Sequence, residues 1–247
     1  FMEMRCTDAF RPEWERWVDF GLSRTEAFET DALGATRPIE FEVVSPSDAE
    51  GMFDVLTYEK GAAVVRMLEQ YLGEEEFRAG IRKYMANHQY GNTETTDLWD
   101  AIEEASGEPV RRIMDSWIFQ GGHPIVGVVA RDGGQVLHVT QDRFTYLPDE
   151  LDGSRWSVPL IIRYGTADGT TRTARALLED ESLDVPLEEP ATWVVVNAEG
   201  HGFFRVRYSA ELRQALVAQA QAVLSDVERY GLVDDTWASV LAGTTPA

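Results

Sequence analysis

At Gly121-Gly122-His123-Pro124 the hydrophobic rhythm of this 247-residue chain changes from the period of helices to that of strands. Helices gathered on one side of such a break and short strands on the other imply an α+β chain of several parts rather than an alternating βα one. Residues 1–122 read as helical. Behind Tyr58-Glu59-Lys60-Gly61, residues Val64, Met67, Leu68, Tyr71 and Leu72 recur at helical spacing, and Gly73 suits a helix end. A second helix carries Phe77, Ile81, Tyr84, Met85 and His88 on one face, with Glu74, Glu75 and Glu76 at its start, where the helix dipole favours acids. Thr96 or Asp97 is the expected cap of a third helix that Gly107 ends. Pro109 suits the first turn of a fourth, whose stripe is Val110, Ile113, Met114, Trp117 and Ile118.

Beyond Pro124 the runs are short and rich in β-branched residues. Pro124–Val129 and Gln135–Gln141 flank the turn signal Asp132-Gly133-Gly134. Further strands are expected over 156–164, 170–178, 193–197 and 203–208. Six or seven strands in so short a stretch predict a small β-sandwich, with a barrel as the other arrangement the pattern allows. After Tyr208 the helical period returns. Ser209 is the expected N-cap of a helix with Leu212, Leu216, Val217, Ala220 and Leu224, and a last helix is expected through Trp237, Val240 and Leu241.

Charge narrows the partners. Against 22 Lys and Arg stand 43 Asp and Glu, a net charge of −21. Such a chain repels phosphate backbones, which argues against nucleic acid. No apolar run reaches the ~18 residues of a membrane-spanning helix, so no membrane partner is expected. No secretory signal opens the chain. Cys6 is the sole cysteine, which excludes an intrachain disulfide and fits a reducing, cytoplasmic setting.

The visible chemistry is sparse. The four histidines, His88, His123, His138 and His201, never approach the His-Glu-x-x-His spacing of a helical zinc site. There is no Gly-x-Ser-x-Gly elbow and no phosphate loop. The paired acids read as solvated faces and helix starts. Tyr58 stands out by position, just ahead of a strong helix. A phenol stays protonated at neutral pH and can donate a hydrogen bond to a developing oxyanion, although a tyrosine beside an apolar stripe is more often a packing residue.

A series of markers then gives a resemblance. Thr57-Tyr58-Glu59-Lys60-Gly61-Ala62 is followed by Arg66-Met67-Leu68-Glu69. Next come Tyr90-Gly91-Asn92-Thr93 with Asp97-Leu98-Trp99, and Trp117-Ile118-x-Gln120-x-Gly122-His123-Pro124. Then follow Gln141-Asp142-Arg143-Phe144, Trp156-x-Val158-Pro159-Leu160, and Asn197-x-x-Gly200-x-x-Phe203-x-Arg205-Val206-x-Tyr208. Leu232-Val233-Asp234-Asp235 through Leu241-x-Gly243 closes the series. In this order they resemble the aminopeptidase N family of zinc metallopeptidases.

The resemblance implies three parts: residues 1–122 as the α-helical half of a thermolysin-like catalytic domain, 123–208 as a β-sandwich, and 209–247 as the start of an α-helical domain. It implies a parent enzyme that hydrolyses N-terminal residues from peptides with zinc. It makes Tyr58 the catalytic residue that hydrogen-bonds the reacting oxygen, and it makes Asn92, Trp117, Arg143 and Asn197 structural. By its register the zinc ligands precede Phe1, and Glu3 is not one of them. The uncapped opening Phe1-Met2-Glu3-Met4-Arg5 reads as the middle of a helix. The chain is therefore expected to be a piece of a longer protein, to partner its missing N-terminal half, and to bind no zinc and lack activity alone. Two other readings remain: a non-enzymatic β-sandwich binding module, and a catalytically inactive paralogue.

Overall fold

The computed structural model describes residues 1–147 and 153–245. Residues 246 and 247 of the expected terminal segment lie outside them. The N-terminal part holds α1 (Met2–Phe10), α2 (Arg16–Asp31), α3 (Pro46–Gly51), α4 (Gly61–Leu72), α5 (Glu74–Asn87), α6 (Thr95–Ser106) and α7 (Val110–Ile118). Its apolar stripes face inward as their spacing predicts. In α7, Val110, Ile113, Met114, Trp117 and Ile118 are all buried. Withdrawing each such side chain from water contributes roughly 1.5–3 kcal/mol.

Two expectations for this part need correction. Residues 32–45 are not helical. Gly34, Pro38 and Pro46 break the helical pattern there, and the segment crosses beneath α7, where the Glu40 N–H bonds the Ile118 carbonyl at 3.1 Å. The cap of α6 is Glu94, not Thr96 or Asp97. Asp97 sits one turn in, and its carboxylate accepts the Glu94 N–H at 2.8 Å, so it completes the capping box from the other end. Gly107 does end that helix, at a left-handed φ of 73°.

From Pro124 the chain forms two sheets. The strands are β1 (Pro124–Arg131), β2 (Val136–Arg143), β3 (Val158–Gly165), β4 (Thr171–Leu178), β5 (Ser182–Pro186), β6 (Trp193–Val195) and β7 (Arg205–Tyr208). One sheet has the order β5-β2-β1-β7 and is mixed, because β7 runs parallel to β1. The other, β4-β3-β6, is antiparallel. Strand β5 escapes the sequence pattern. It is short, ends in Pro186 and pairs on one side only, which is where a sheet tolerates proline.

Val126, Val128, Leu137 and Val139 of the first sheet share one apolar core with Leu160, Ile162 and Val194 of the second. The same core continues through Phe203 and Trp156 into Trp117, Met67 and Leu68 of the helices. Helices α8 (Ala210–Val223) and α9 (Asp226–Leu241) complete the described chain. Ser209 caps α8 as expected, accepting the Leu212 N–H. Helix α9 begins eleven residues before Trp237, capped by Ser225 in a box with Glu228, and Trp237 itself is exposed. Among the described residues no helix is long and apolar enough to cross a membrane.

Candidate active site

Leu56–Lys60 forms a π-helical turn that leads into α4. Such turns are rare and are frequent at functional positions. The local sequence explains how this one is held. The Asp54 carboxylate accepts the N–H groups of Leu56 and Thr57, each at 3.0 Å, and so caps the turn. The Arg37 guanidinium grips the same carboxylate at 2.6 Å and the Thr57 hydroxyl at 3.0 Å. At the other end the Gly61 N–H reaches back to the Leu56 carbonyl.

Tyr58 is carried outward by this turn. It is 58 % exposed, and the Phe53 ring lies beside it at 6.5 Å between centroids. Its neighbours in sequence point elsewhere. Glu59 has one carboxylate oxygen buried without a hydrogen-bond partner among the described residues. Burial, with Glu26 nearby, raises its pKa above the usual carboxylate value.

Lys60 is fully buried. Its ammonium donates to the Gly122 carbonyl at 3.0 Å and to the Gln120 carbonyl at 3.5 Å, and it pairs with Asp31 at 2.9 Å. Asp31, the last residue of α2, is equally buried. Its other oxygen accepts the Gly122 N–H at 2.9 Å and the Thr36 hydroxyl at 2.6 Å. The two side chains thus hold the Gly122 residue by its N–H and by its C=O. Burial pushes the Asp31 carboxyl up, but Lys60, His123 and Thr36 outweigh it and hold the group ionised, below the usual carboxylate range.

Next to this pair lies His123, fully buried, its Nδ1 3.6 Å from Asp31. It packs among the rings of Phe28, Phe144 and Phe203. Burial lowers its pKa to about 4 against the pull of Asp31, so the ring is neutral at pH 7. Glycine is required at 122: its φ is +88°, and a Cβ there would come within 3.0 Å of the Arg143 Nε. At Gly121 a Cβ would meet Thr36 at 2.9 Å, so residues 36–37 cross it directly.

The structure therefore brings several sequence markers to one spot. Lys60 belongs to the first, Gln120, Gly122 and His123 to another, Arg143 to a third and Phe203 to a fourth. Trp117 and Asn197 serve elsewhere. The Trp117 indole donates to the carbonyl of Ser157, the residue before β3, at 3.0 Å, and the Asn197 side-chain carbonyl accepts the Gly202 N–H at 2.8 Å. Asn92 is exposed ahead of α6. Buried Gln141 bridges the sheets, donating to the Trp156 and Asp180 carbonyls and accepting the Trp156 N–H, each at 2.9 Å.

Sequence reasoning missed Asp31 and gave Lys60 no role of its own. One signal was available: an acid in the last turn of a helix opposes the helix dipole and calls for a compensating cation. Among the described residues no group of three or more His, Cys, Asp or Glu could hold a metal ion.

Residues 1–117 match the peptidase family M1 domain, and residues 193–247 match an ERAP1-like C-terminal domain. The chain is 38 % identical over 248 residues to Tricorn protease-interacting factor F2 of Thermoplasma acidophilum, covering 98 % of this chain and 29 % of that protein. It is 36 % identical to Aminopeptidase M1 of Arabidopsis thaliana, over 96 % of this chain and 28 % of that one. It is 34 % identical to a leucyl aminopeptidase of Saccharolobus solfataricus, over 98 % and 30 % respectively. The chain thus spans less than a third of the length of these relatives. With matched segments at both ends and these relatives aligned along nearly all of it, the chain is similar to the M1 family of peptidases along its length.

Proposed function

We propose that this chain is the part of a zinc aminopeptidase that carries its transition-state hydrogen-bond donor, Tyr58. In this reading residues 1–122 are the helical half of a thermolysin-like catalytic domain, 123–208 a β-sandwich, and 209–247 the start of an α-helical domain. The M1 match over 1–117 supports the first part, and the ERAP1-like match over 193–247 takes in the third together with the last strands of the second. The substrates are peptides with a free N-terminus, as the relatives named aminopeptidases imply. The setting is cytoplasmic, where the free, exposed Cys6 stays a thiol.

The observation that carries the reading is the presentation of Tyr58. Its phenol stands out from a turn whose backbone is held at both ends, by Asp54 and Arg37 on one side and Lys60 on the other. A rigidly mounted O–H facing open space suits a donor aimed at a substrate oxygen on which negative charge grows during attack on a peptide carbonyl. Such a bond strengthens as the charge develops and so acts on kcat. Zinc supplies a polarised water and charge stabilisation to such hydrolyses when bound. The described residues do not make a site for it. In this reading the ligands of the ion lie in the rest of the enzyme, and this chain alone is inactive.

In the full-length enzyme, Tyr58→Phe lowers kcat on an aminoacyl-anilide by about 10²–10³-fold with KM little changed. An unchanged kcat removes Tyr58 from the reaction. Elemental analysis of the isolated 247-residue chain checks the companion statement, and stoichiometric zinc with turnover overturns it.

A further inference from the structure

Two fully buried charges meet just behind the turn that carries Tyr58. Lys60 is the last residue of that turn, and its ammonium has three donors for three acceptors: Asp31, Gly122 and Gln120. Asp31 accepts from Gly122 and Thr36 in return. A well-packed apolar pair would hold a core at least as firmly as a buried ion pair, because the desolvation of both charges offsets most of their attraction. What the ion pair adds is direction. It sets the end of the π turn against a single glycine, and that glycine leads through His123 directly into β1. The position of the turn is thereby referred to the sheet.

We infer that Lys60 and Asp31 are positioning residues for the Tyr58 phenol, acting through the clamped Gly122 backbone. This rests on the reading of Tyr58 as the donor to the reacting oxygen. The geometry gives the pair leverage. Lys60 lies two residues from Tyr58 and is the side chain that ties the exit of the turn to Gly122, whereas the Asp54–Arg37 grip secures its entry. Release of Lys60 frees the exit of the turn to relax toward ordinary α-helix, which rotates residue 58 about the helix axis. A donor must lie within hydrogen-bond reach of the reacting oxygen, so a displacement of about 1 Å is enough to lose most of its effect.

The test is a double-mutant cycle in the full-length enzyme. Lys60→Met is the direct variant, and Asp31→Asn combined with Lys60→Gln is the variant that leaves no unpaired buried charge and keeps hydrogen-bonding groups at both positions. Each is made in the natural background and together with Tyr58→Phe, and kcat, KM and the melting temperature are measured for all. The expected result is a kcat loss of about 10-fold or more in the natural background, with KM within about threefold, and a further loss below about twofold in the Tyr58→Phe background. Equal losses in both backgrounds show a general structural role and overturn the inference. So does an unchanged kcat in a folded variant. If Tyr58→Phe itself leaves kcat intact, the functional reading fails first and the inference falls with it. If Lys60→Met does not fold, the Asp31→Asn/Lys60→Gln variant decides between the same outcomes.

Discussion

The guanidinium of Arg205 lies 2.8 Å from the carboxylate of Asp234, across the seam where β7 meets α9. Asp235 adds a second contact at 3.2 Å and accepts the Val206 N–H at 2.9 Å. Arg205 is almost fully buried and lies over the rings of Phe28 and Phe144. The terminal helix is thus held to the sheet by charge as well as by apolar packing.

Arg205→Met removes the cation and leaves both acids in the seam. The expected cost is about 3 kcal/mol, because breaking a buried pair strands its partner. Urea unfolding of the chain measures it. A loss below about 1 kcal/mol would show that water reaches the two carboxylates once the arginine is gone.

Acid should weaken the fold well above the range in which carboxylates titrate. Burial lowers His123 to about 4, and burial with Arg66 and Arg24 nearby lowers His201 to about 3. Both lie below the ~6.5 of an unfolded histidine. Their contribution is full above that value and is lost as pH falls through it toward 4 and 3. Asp235 acts in the opposite sense. Burial raises it to about 6 despite Arg205, so its contribution is full below the unfolded value near 3.9 and is lost as pH rises through 6. Two histidines outweigh one aspartate. Stability should fall by about 3 kcal/mol between pH 7 and 4.5, read from urea midpoints across that range. A flat profile would mean that the two rings take up protons in the folded state.

Gly80→Ala tests packing against propensity. Gly80 lies inside α5, where alanine is normally preferred by ~1 kcal/mol. A Cβ there would sit 2.7 Å from the Ile102 Cα of α6, and backbone cannot swing aside. The substitution should therefore destabilise by about 1–3 kcal/mol. A rise in melting temperature would show that α5 and α6 can separate freely.

Much of this was legible from residue order. The stripe of α7, the Gly107 stop, the Ser209 cap and the return strand β2 all follow from local rules, because periodicity and capping act over a few neighbouring residues. The errors were of a different kind. Glu94 displaced the expected cap because Asp97 could serve from inside the helix. Strand β5 forms only because β2 offers it an edge, and nothing within Ser182–Pro186 announces that partner. Tyr58 was picked out by its motif, whereas Asp31 had no motif to mark it.

Residue order alone set the break at Gly121-Gly122-His123-Pro124, the helical and strand-forming stretches on either side, and the run of markers that carries the resemblance to aminopeptidases. Tertiary structure decided what those markers do together. Asp31 and Lys60 are 29 residues apart, and Gly122 lies a further 62 along. Their meeting depends on the helices and sheets closing around one core, where excluding water makes each buried charge seek the other. Local sequence carries no record of which charges will be shut in together.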